Sequence, residues 1–356
     1  VGSEMCIRDR RKVGSGTHTG KDLTRDEAAD ATRMMLLQDA TPAQIGAFMV
    51  AHRIKRPTAA EVAGMLDAYD DLGPKLPAIA SDPAVFVFGA PYDGRDRTLP
   101  LSIVTALILA AAGYPVLQHG GGIMPTKEGT PLVDFWQGLG VNWTTLSLSQ
   151  VHHVLQATGL GLVYLPTHFP LAQALVPYRE QIGKRPPFAT VELVWCPYGG
   201  QAHVVIGFVH PPTESRLQEA IALRGQVYPF TTVKGLEGSC DLPRERTAII
   251  GLGNPPAAEL ERLHLHAHDY GFASKNVPLE STAGAIAAMQ AVLQGQLGEL
   301  RQSILWNAGF YLWRCGAAKT LAAAIATAAE LIDGGQARRK LTDLRNMTTA
   351  ACLVPQ

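Results

Sequence analysis

Residues 84–129, AVFVFGAPYDGRDRTLPLSIVTALILAAAGYPVLQHGGGIMPTKEG, decide the fold. Val85-Phe86-Val87-Phe88 is a short continuous apolar run, the pattern of a strand buried on both faces. A loop rich in Gly, Pro, Asp and Arg follows, from Gly89 to Pro100. Leu101 to Ala112 reads as a buried helix closed by Gly113. Tyr114 to Leu117 returns as a second apolar strand and empties into Gly120-Gly121-Gly122, with Lys127 and Gly129 just behind. Such a strand–loop–helix–strand unit collects its polar residues where the strands end. In open α/β sheets that edge binds ligands, and backbone N–H groups there favour an anion. The stretch reads as a phosphate site.

On the N-terminal side, residues 21–72 are helical by repeated local signals. Thr24-Arg25-Asp26-Glu27, Thr41-Pro42-Ala43-Gln44 and Thr58-Ala59-Ala60-Glu61 each fit the capping box. Ile45, Phe48, Met49 and His52 form one apolar stripe, and Val62, Met65, Leu66 and Tyr69 another. Residues 18–73 are therefore expected to form a small helical domain, and Gly73 to Pro77 its linker to an α/β domain over 80–356. Residues 1–12 lack a starting Met, an apolar signal core and any periodicity, and read as a non-native leader.

On the C-terminal side, helices are expected at Pro131–Leu139 and Leu148–Ala157, and a strand at Gly161–Leu165. His168-Phe169-Pro170 introduces a helix to Arg179, part of a later helical insertion near 168–200. Ala202–Val209 reads as a strand, Glu214–Leu223 as a helix and Phe230–Val233 as a strand, followed by the polar glycine loop Lys234–Asp241. From Thr282 onward the chain is largely helical, with breaks at Gly309, Gly316 and Gly334-Gly335. This alternation predicts an α/β fold, a mostly parallel sheet flanked by helices.

Composition narrows the function. Thirty-one basic and thirty-one acidic residues cancel, so no whole-chain field draws nucleic acid or a membrane surface. The longest mostly apolar run, Ile103–Ala112, is far shorter than the about 20 residues of a membrane helix. Five scattered cysteines without a C-x-x-C pair argue for a reducing cytosol and against structural zinc.

With the loops in order, the chain resembles the anthranilate phosphoribosyltransferase family, glycosyltransferase family 3, from about Leu23 to its C-terminus. The family's G-T-G-G-D-G loop is met by Gly89, Asp93, Gly94, Thr98 and Ser102, with Ala90-Pro91-Tyr92 in place of T-G-G and Arg95-Asp96-Arg97 one residue longer. Its K-H-G-N-R stretch keeps His119 and Gly120, while Gln118, Gly121 and Gly122 replace Lys, Asn and Arg. Lys127 and Gly129 match its S-K-S-G turn. Arg179 falls on the arginine that grips the anthranilate carboxylate, and His168 on a neighbouring His. In the metal stretch Glu237 stands for the first Asp, but Cys240 and Asp241 stand where Asp and Glu belong. These departures resemble a divergent, non-tryptophan branch of the family, some of whose members are linked to nucleic-acid binding.

The resemblance implies a helical domain carrying a homodimer contact, a larger α/β domain, and a cleft at their hinge. It implies phosphoribosyl pyrophosphate as donor, held by Gly89, Asp93, Gly94, Arg95, Arg97, Thr98, Ser102, Gly120, Lys127 and Gly129. His119 and Arg179 are the implied catalytic residues and, with His168, face a nitrogen acceptor. Magnesium, if bound, falls to Glu237 and Asp241, a site weakened by Cys240.

Each residue has an ordinary alternative. Asp93-Gly94 is also plain turn chemistry. Pro91 has no N–H to offer a pyrophosphate. Arg95 and Arg97 are either phosphate clamps, taking over part of magnesium's charge, or a solvated pair. His264-Leu265-His266-Ala267-His268 reads as a polar loop or edge strand in preference to a metal site, and Arg338-Arg339-Lys340 as a solvated helix face. The leading expectation is a phosphoribosyltransferase-like glycosyltransferase. Its rival is a silent member binding nucleic acid or another phosphorylated ligand in the same cleft.

Overall fold

The computed structural model describes residues 12–14, 20–225, 228–254 and 260–353. The leader reading lies outside the described residues except for Lys12, whose Nζ pairs with Glu27. Helices α1 (Arg25–Leu36), α2 (Pro42–Lys55) and α3 (Ala59–Leu72) begin at the three threonines picked out above. Thr24 N donates to Glu27 Oε2 at 2.8 Å and Glu27 N to Thr24 Oγ1 at 3.2 Å, the reciprocal pair of a capping box. The third box is also a buried charge centre. Glu61 is fully buried, accepts from Thr58 N at 2.7 Å and Leu23 N at 2.8 Å, and lies 2.8 Å from Lys55 Nζ. Burial alone would raise its pKa, yet His52, Lys55 and the Leu23 amide hold it at about 2.

Seven strands follow: β1 (Val85–Gly89), β2 (Val116–Gly120), β3 (Leu160–Tyr164), β4 (Ala202–Gly207), β5 (Phe230–Val233), β6 (Ala248–Gly253) and β7 (Glu261–Leu265). Their order across the sheet is β3-β2-β1-β4-β5-β6-β7. The first five are parallel, while β6 and β7 run antiparallel at one edge. Of the three alternating histidines only His264 lies on that exposed edge strand; His266 precedes and His268 lies within the short turn Ala267–Tyr270 that follows. The edge pair was not foreseen, since β6 lies in a segment the sequence left unassigned. Strand β2 starts at Val116 and runs through His119 and Gly120, two residues later than the apolar run suggested. Its polar end is buried as strand because Gln118 and His119 point into packed layers.

The helices of this part are α4 (Ser102–Ala111), α5 (Leu132–Gly138), α6 (Leu148–Thr158) and α11 (Pro211–Leu223), with α12 (Thr282–Leu293), α13 (Glu299–Arg314), α14 (Leu321–Asp333) and α15 (Gln336–Leu353). Ser102 to Ala110 is buried all round, because α4 lies between the sheet and helices α13 and α15. Gly309 does not break a helix. It sits inside α13, where a Cβ would come within 2.3 Å of Ile325 Cγ1, so it is a close-packing glycine against α14. The expected helix from His168 to Arg179 is instead three short pieces, α7 (Leu165–His168), α8 (Pro170–Gln173) and α9 (Val176–Gln181), with α10 (Phe188–Val191) beyond. Pro170 and Pro177 each start a new piece, as proline does in a first turn. These pieces pack on α2 and α3, and Tyr69 of α3 makes edge contacts with Phe169 and Trp195 at 5.2 and 5.8 Å. Among the described residues no helix is long and apolar enough to cross a membrane.

Candidate active site at the strand rim

Because β1, β2, β4 and β5 are parallel, the loops after them leave from one edge. The loop after β1 and the loop after β2 are joined by backbone: Gly129 N donates to Asp93 O at 3.1 Å, Arg95 N to Thr130 O at 2.9 Å and Thr130 N to Arg95 O at 2.8 Å. Gly94 has φ +76°, and a Cβ there would lie 2.3 Å from Gly129 O. A Cβ on Gly129 would lie 2.6 Å from Asp93 O. These two glycines therefore serve the approach of one loop to the other. Gly89 is likewise structural, since a Cβ there would sit 2.0 Å from Leu193 O. Gly120 differs: nothing lies within 4 Å of its missing Cβ, which faces open space at the pocket.

The loop after β5 closes the third side. Arg95 is 5% exposed, and its guanidinium reaches Asp241 Oδ2 at 2.9 Å and Ser239 Oγ at 2.6 Å through Nη1. Nε donates to Thr98 O at 3.1 Å, and Nη2 to Thr98 Oγ1 at 2.5 Å and Leu99 O at 3.2 Å. All five N–H groups have protein acceptors, so Arg95 is not the free phosphate clamp the sequence suggested. Glu237 sits at φ +53° and its carboxylate accepts from Thr98 N at 2.8 Å, Thr98 Oγ1 at 2.7 Å, and the Asp96 and Arg97 amides at 3.2 Å each. Burial would raise its pKa, but Thr98 and Arg95 hold it below the usual carboxylate range. Asp241 is buried and its pKa is raised by burial, with Arg95 opposing. Thr98 is thus committed to Glu237 and Arg95, and the Arg97 side chain is exposed with its Nε 3.9 Å from Glu237.

On the other side of this loop, Asp93 meets Arg179 of α9 through Nη2, and Arg185 Nε at 2.8 Å. Arg179 Nη1 lies 3.6 Å from Glu192 Oε1. Arg179 is 2% exposed, so its charge is already met by two internal carboxylates. Burial pushes the Glu192 carboxyl up to about 7, with Asp93 adding to the effect and Arg179 opposing it. Tyr92 stands between these groups and the sheet. Its hydroxyl is 2.5 Å from His119 Nδ1, and the His119 ring packs edge-on against Tyr92 and Trp195, both at 5.5 Å. His119 is 2% exposed, its Nε2 has no partner, and burial lowers its pKa to about 3, so it is neutral.

Two small cavities remain. One of about 30 Å³ is lined by Tyr92, Ser102, His119, Gly120 and Glu237 among others; one of about 20 Å³ lies between Tyr92, Arg179 and Glu192. Each has room for a water or two, not for a sugar phosphate. A third, open cavity of about 540 Å³ lies in the hinge cleft between α2 and the loops after β4 and β5. It has the size of a ligand site and is lined by Arg53, Arg56, Arg185, His210, Arg216 and Glu237.

His168 is a correction. Its Nδ1 accepts from Tyr164 N at 2.9 Å and its Nε2 lies 2.8 Å from Leu146 O, so both nitrogens tie α7 to its surroundings. Lys127 is exposed at the tip of a turn whose flanking residues, Thr126 and Glu128, have φ +77° and +54°; it lines neither the rim cavities nor the cleft. Asp93, Arg95, Ser102, His119, Gly120, Arg179, Glu237 and Asp241 do converge. Sequence reasoning missed Tyr92 as a plug, and Glu192, Trp195, Arg185 and Arg216. A buried Glu in the apolar run Val191–Cys196 was the available signal for Glu192. Cys240 donates its thiol to Gly89 O at 3.0 Å, and burial raises its pKa, so it is no nucleophile. The His266 and His268 rings lie 5.3 Å apart at a tilt, yet among the described residues no three His, Cys, Asp or Glu side chains could hold a metal ion.

A helical bundle beside a mostly parallel sheet, with strand-end loops meeting at a cleft, defines a two-part helical and α/β architecture. Residues 11–73 match the family model described as glycosyl transferase family, helical bundle domain, and residues 93–338 the one described as glycosyl transferase family, a/b domain. The chain belongs to this glycosyl transferase family. It is 32% identical to the anthranilate phosphoribosyltransferase of Anaeromyxobacter sp. (strain K), covering 93% of this chain and 96% of the relative. It is 29% identical to that of Rhodopseudomonas palustris (strain HaA2), covering 96% and 99%. Its fold is that of the anthranilate phosphoribosyltransferase from Saccharomyces cerevisiae solved in complex with PRPP and Mg (TM-score 0.83, 16% identity, 98% of both chains). The same holds for the enzyme from Thermus thermophilus (TM-score 0.78, 21% identity, 96% and 99%).

Proposed function

We propose that this protein transfers a phosphoribosyl group from phosphoribosyl pyrophosphate to a nitrogen acceptor, in the manner of anthranilate phosphoribosyltransferase. The observation that carries the reading is the convergence of the β1, β2 and β5 loops on Gly120, Ser102 and His119 in a small cavity that shares Pro91 and Glu237 with a 540 Å³ cationic cleft. The reaction breaks the bond between the ribosyl anomeric carbon and the pyrophosphate oxygen and forms one to the acceptor nitrogen, which loses a proton. Charge separates between a ribosyl cation and pyrophosphate, so alignment and fixed charge matter more than a strong base. Arg56, Arg185 and Arg216 meet the pyrophosphate; Gly120 and Ser102 offer close backbone and a hydroxyl. Arg97, exposed beside Glu237 at the rim, adds a loop cation. Donor entry requires the Tyr92 side chain to swing away from the 30 Å³ cavity that it lines. An acceptor carboxylate, in turn, must displace Asp93 or Glu192 from Arg179.

The residues do not fit the divalent ion found with the yeast enzyme, because Glu237 and Asp241 are already engaged by N–H and O–H donors. Assembly as a homodimer is part of the reading, supported by an apolar groove of about 800 Å³ formed by Val13, Gly46, Ala47, Val50, Ala51 and Ile54 of the helical layer. So is a cytosolic setting, supported by the four cysteines among the described residues, all free thiols. The test is to add phosphoribosyl pyrophosphate with and without anthranilate and measure pyrophosphate release; no release with any amine acceptor, despite donor binding, overturns it.

The closed rim favours a second reading, a family member that binds a phosphorylated ligand, nucleic acid included, in the cleft without turnover. Binding of an oligonucleotide in the absence of pyrophosphate release decides for it.

A further inference from the structure

We infer that Arg95 is the resident counter-ion of the Glu237 and Asp241 carboxylates and stands where a divalent cation would otherwise be held. The inference rests on the functional reading only in taking the rim as the ligand site. Asp241 is 1% exposed and its Oδ2 accepts from Arg95 Nη1 at 2.9 Å and from Leu101 N at 3.0 Å. Glu237 Oε1 lies 3.6 Å from Arg95 Nε, inside a cradle of three backbone amides and the Thr98 hydroxyl. A magnesium ion needs carboxylate oxygens with free lone pairs at about 2.0–2.1 Å, in near-octahedral array. Here Asp241 Oδ2 and both Glu237 oxygens already accept from N–H and O–H donors, and the buried guanidinium repels a second cation. The planar fork bridges Ser239 and Asp241 on one loop and Thr98 and Leu99 on the other, so one side chain supplies the charge and also ties the loops after β1 and β5 together.

Mn²⁺ alone is the probe, read by electron paramagnetic resonance as the free-ion signal lost on adding the full chain. The wild-type protein is expected to remove no Mn²⁺ that the D241N variant does not also remove. The R95M variant, which keeps the stem and drops the charge, is expected to bind about one Mn²⁺ per chain and to lose it again in R95M/D241N. Its melting temperature is expected to rise with Mn²⁺, while that of the wild type does not move. A wild-type chain that binds Mn²⁺ stoichiometrically, with the ion lost in D241N, overturns the inference. So does a folded R95M chain that gains no Mn²⁺. If R95M does not fold, the wild-type melting temperature with and without EDTA decides: a drop in EDTA that D241N abolishes overturns the inference, and indifference to EDTA supports it. No donor or acceptor enters the experiment, so failure of the transferase reading leaves the result intact.

Discussion

His119 carries the clearest prediction at the scale of single residues. Its folded pKa lies at about 3, below the ordinary value of 6.5, so the unfolded chain binds the extra proton first as pH falls. Stability from its neutrality is complete above pH 6.5 and is lost as pH falls toward 3. At pH 5 the loss is about 2 kcal/mol, at 1.4 kcal/mol per unit. His203, stacked on Phe86 at 4.3 Å and also lowered to about 3, adds a similar amount. Urea unfolding at pH 7 and pH 5 should show H119N losing less between the two than the wild type; equal losses would mean the ring is not held neutral. Tyr92 supplies a second test. Y92G should cost about 3–5 kcal/mol as a buried aromatic removed, yet widen the 30 Å³ cavity and strengthen binding of inorganic pyrophosphate, read by calorimetry. Unchanged or weaker binding by the folded variant would show that Tyr92 does not plug the site. At this scale the sequence named Asp93, Arg95 and Arg179 as site residues but not their partners. The Asp93–Arg179 and Arg95–Asp241 pairs join residues 86 and 146 positions apart, and no local pattern encodes such a distance.

Elements were more legible, and for a physical reason: caps and apolar periods act within one turn. The three capping boxes, the α4 span and β5 follow from residues a few positions apart. The short helices α7 to α10 did not, because their breaks are set by prolines and by packing on α2 and α3. Gly309 was misread for the same reason, since its role depends on Ile325 in another helix. At the joined loops, G94A should destabilise by at least about 2 kcal/mol, because it adds strain at φ +76° to a 2.3 Å approach to Gly129 O. A fall in melting temperature no larger than that of an exposed control such as G183A, also at positive φ but with open space around it, would refute the loop pairing. Glu61 makes the third capping box a structural hub. E61Q should cost about 3 kcal/mol or more at pH 7, by leaving Lys55 and His52 without their carboxylate, and the cost should shrink as pH falls from 4.5 toward 2, where the wild-type carboxylate itself protonates.

For the molecule as a whole, zero net charge hides an uneven distribution. Arg25, Arg33 and Arg224 are each paired with an aspartate. Around the hinge cleft the balance changes. Among the described residues Arg53, Arg56 and Arg216 form no ion pair within 4 Å, and Arg216 has its pKa lowered by burial and by the neighbouring Arg56. Two like charges held together and partly desolvated cost stability unless an anion joins them, so the cleft has affinity stored for one. The rim cavities are too small for a sugar phosphate, which makes this cleft the place where a phosphorylated ligand first makes contact. Its affinity should therefore fall as salt rises, because a solvent-exposed cluster is screened within about 8 Å at physiological ionic strength. R56S and R216S should each weaken pyrophosphate binding severalfold at low salt and flatten its salt dependence. They should also leave stability unchanged or raised, since each relieves repulsion within the protein. Calorimetric titrations at two salt concentrations, with melting curves of the same variants, separate this from a structural role. A variant that binds normally but melts early would mean that these arginines serve the fold instead.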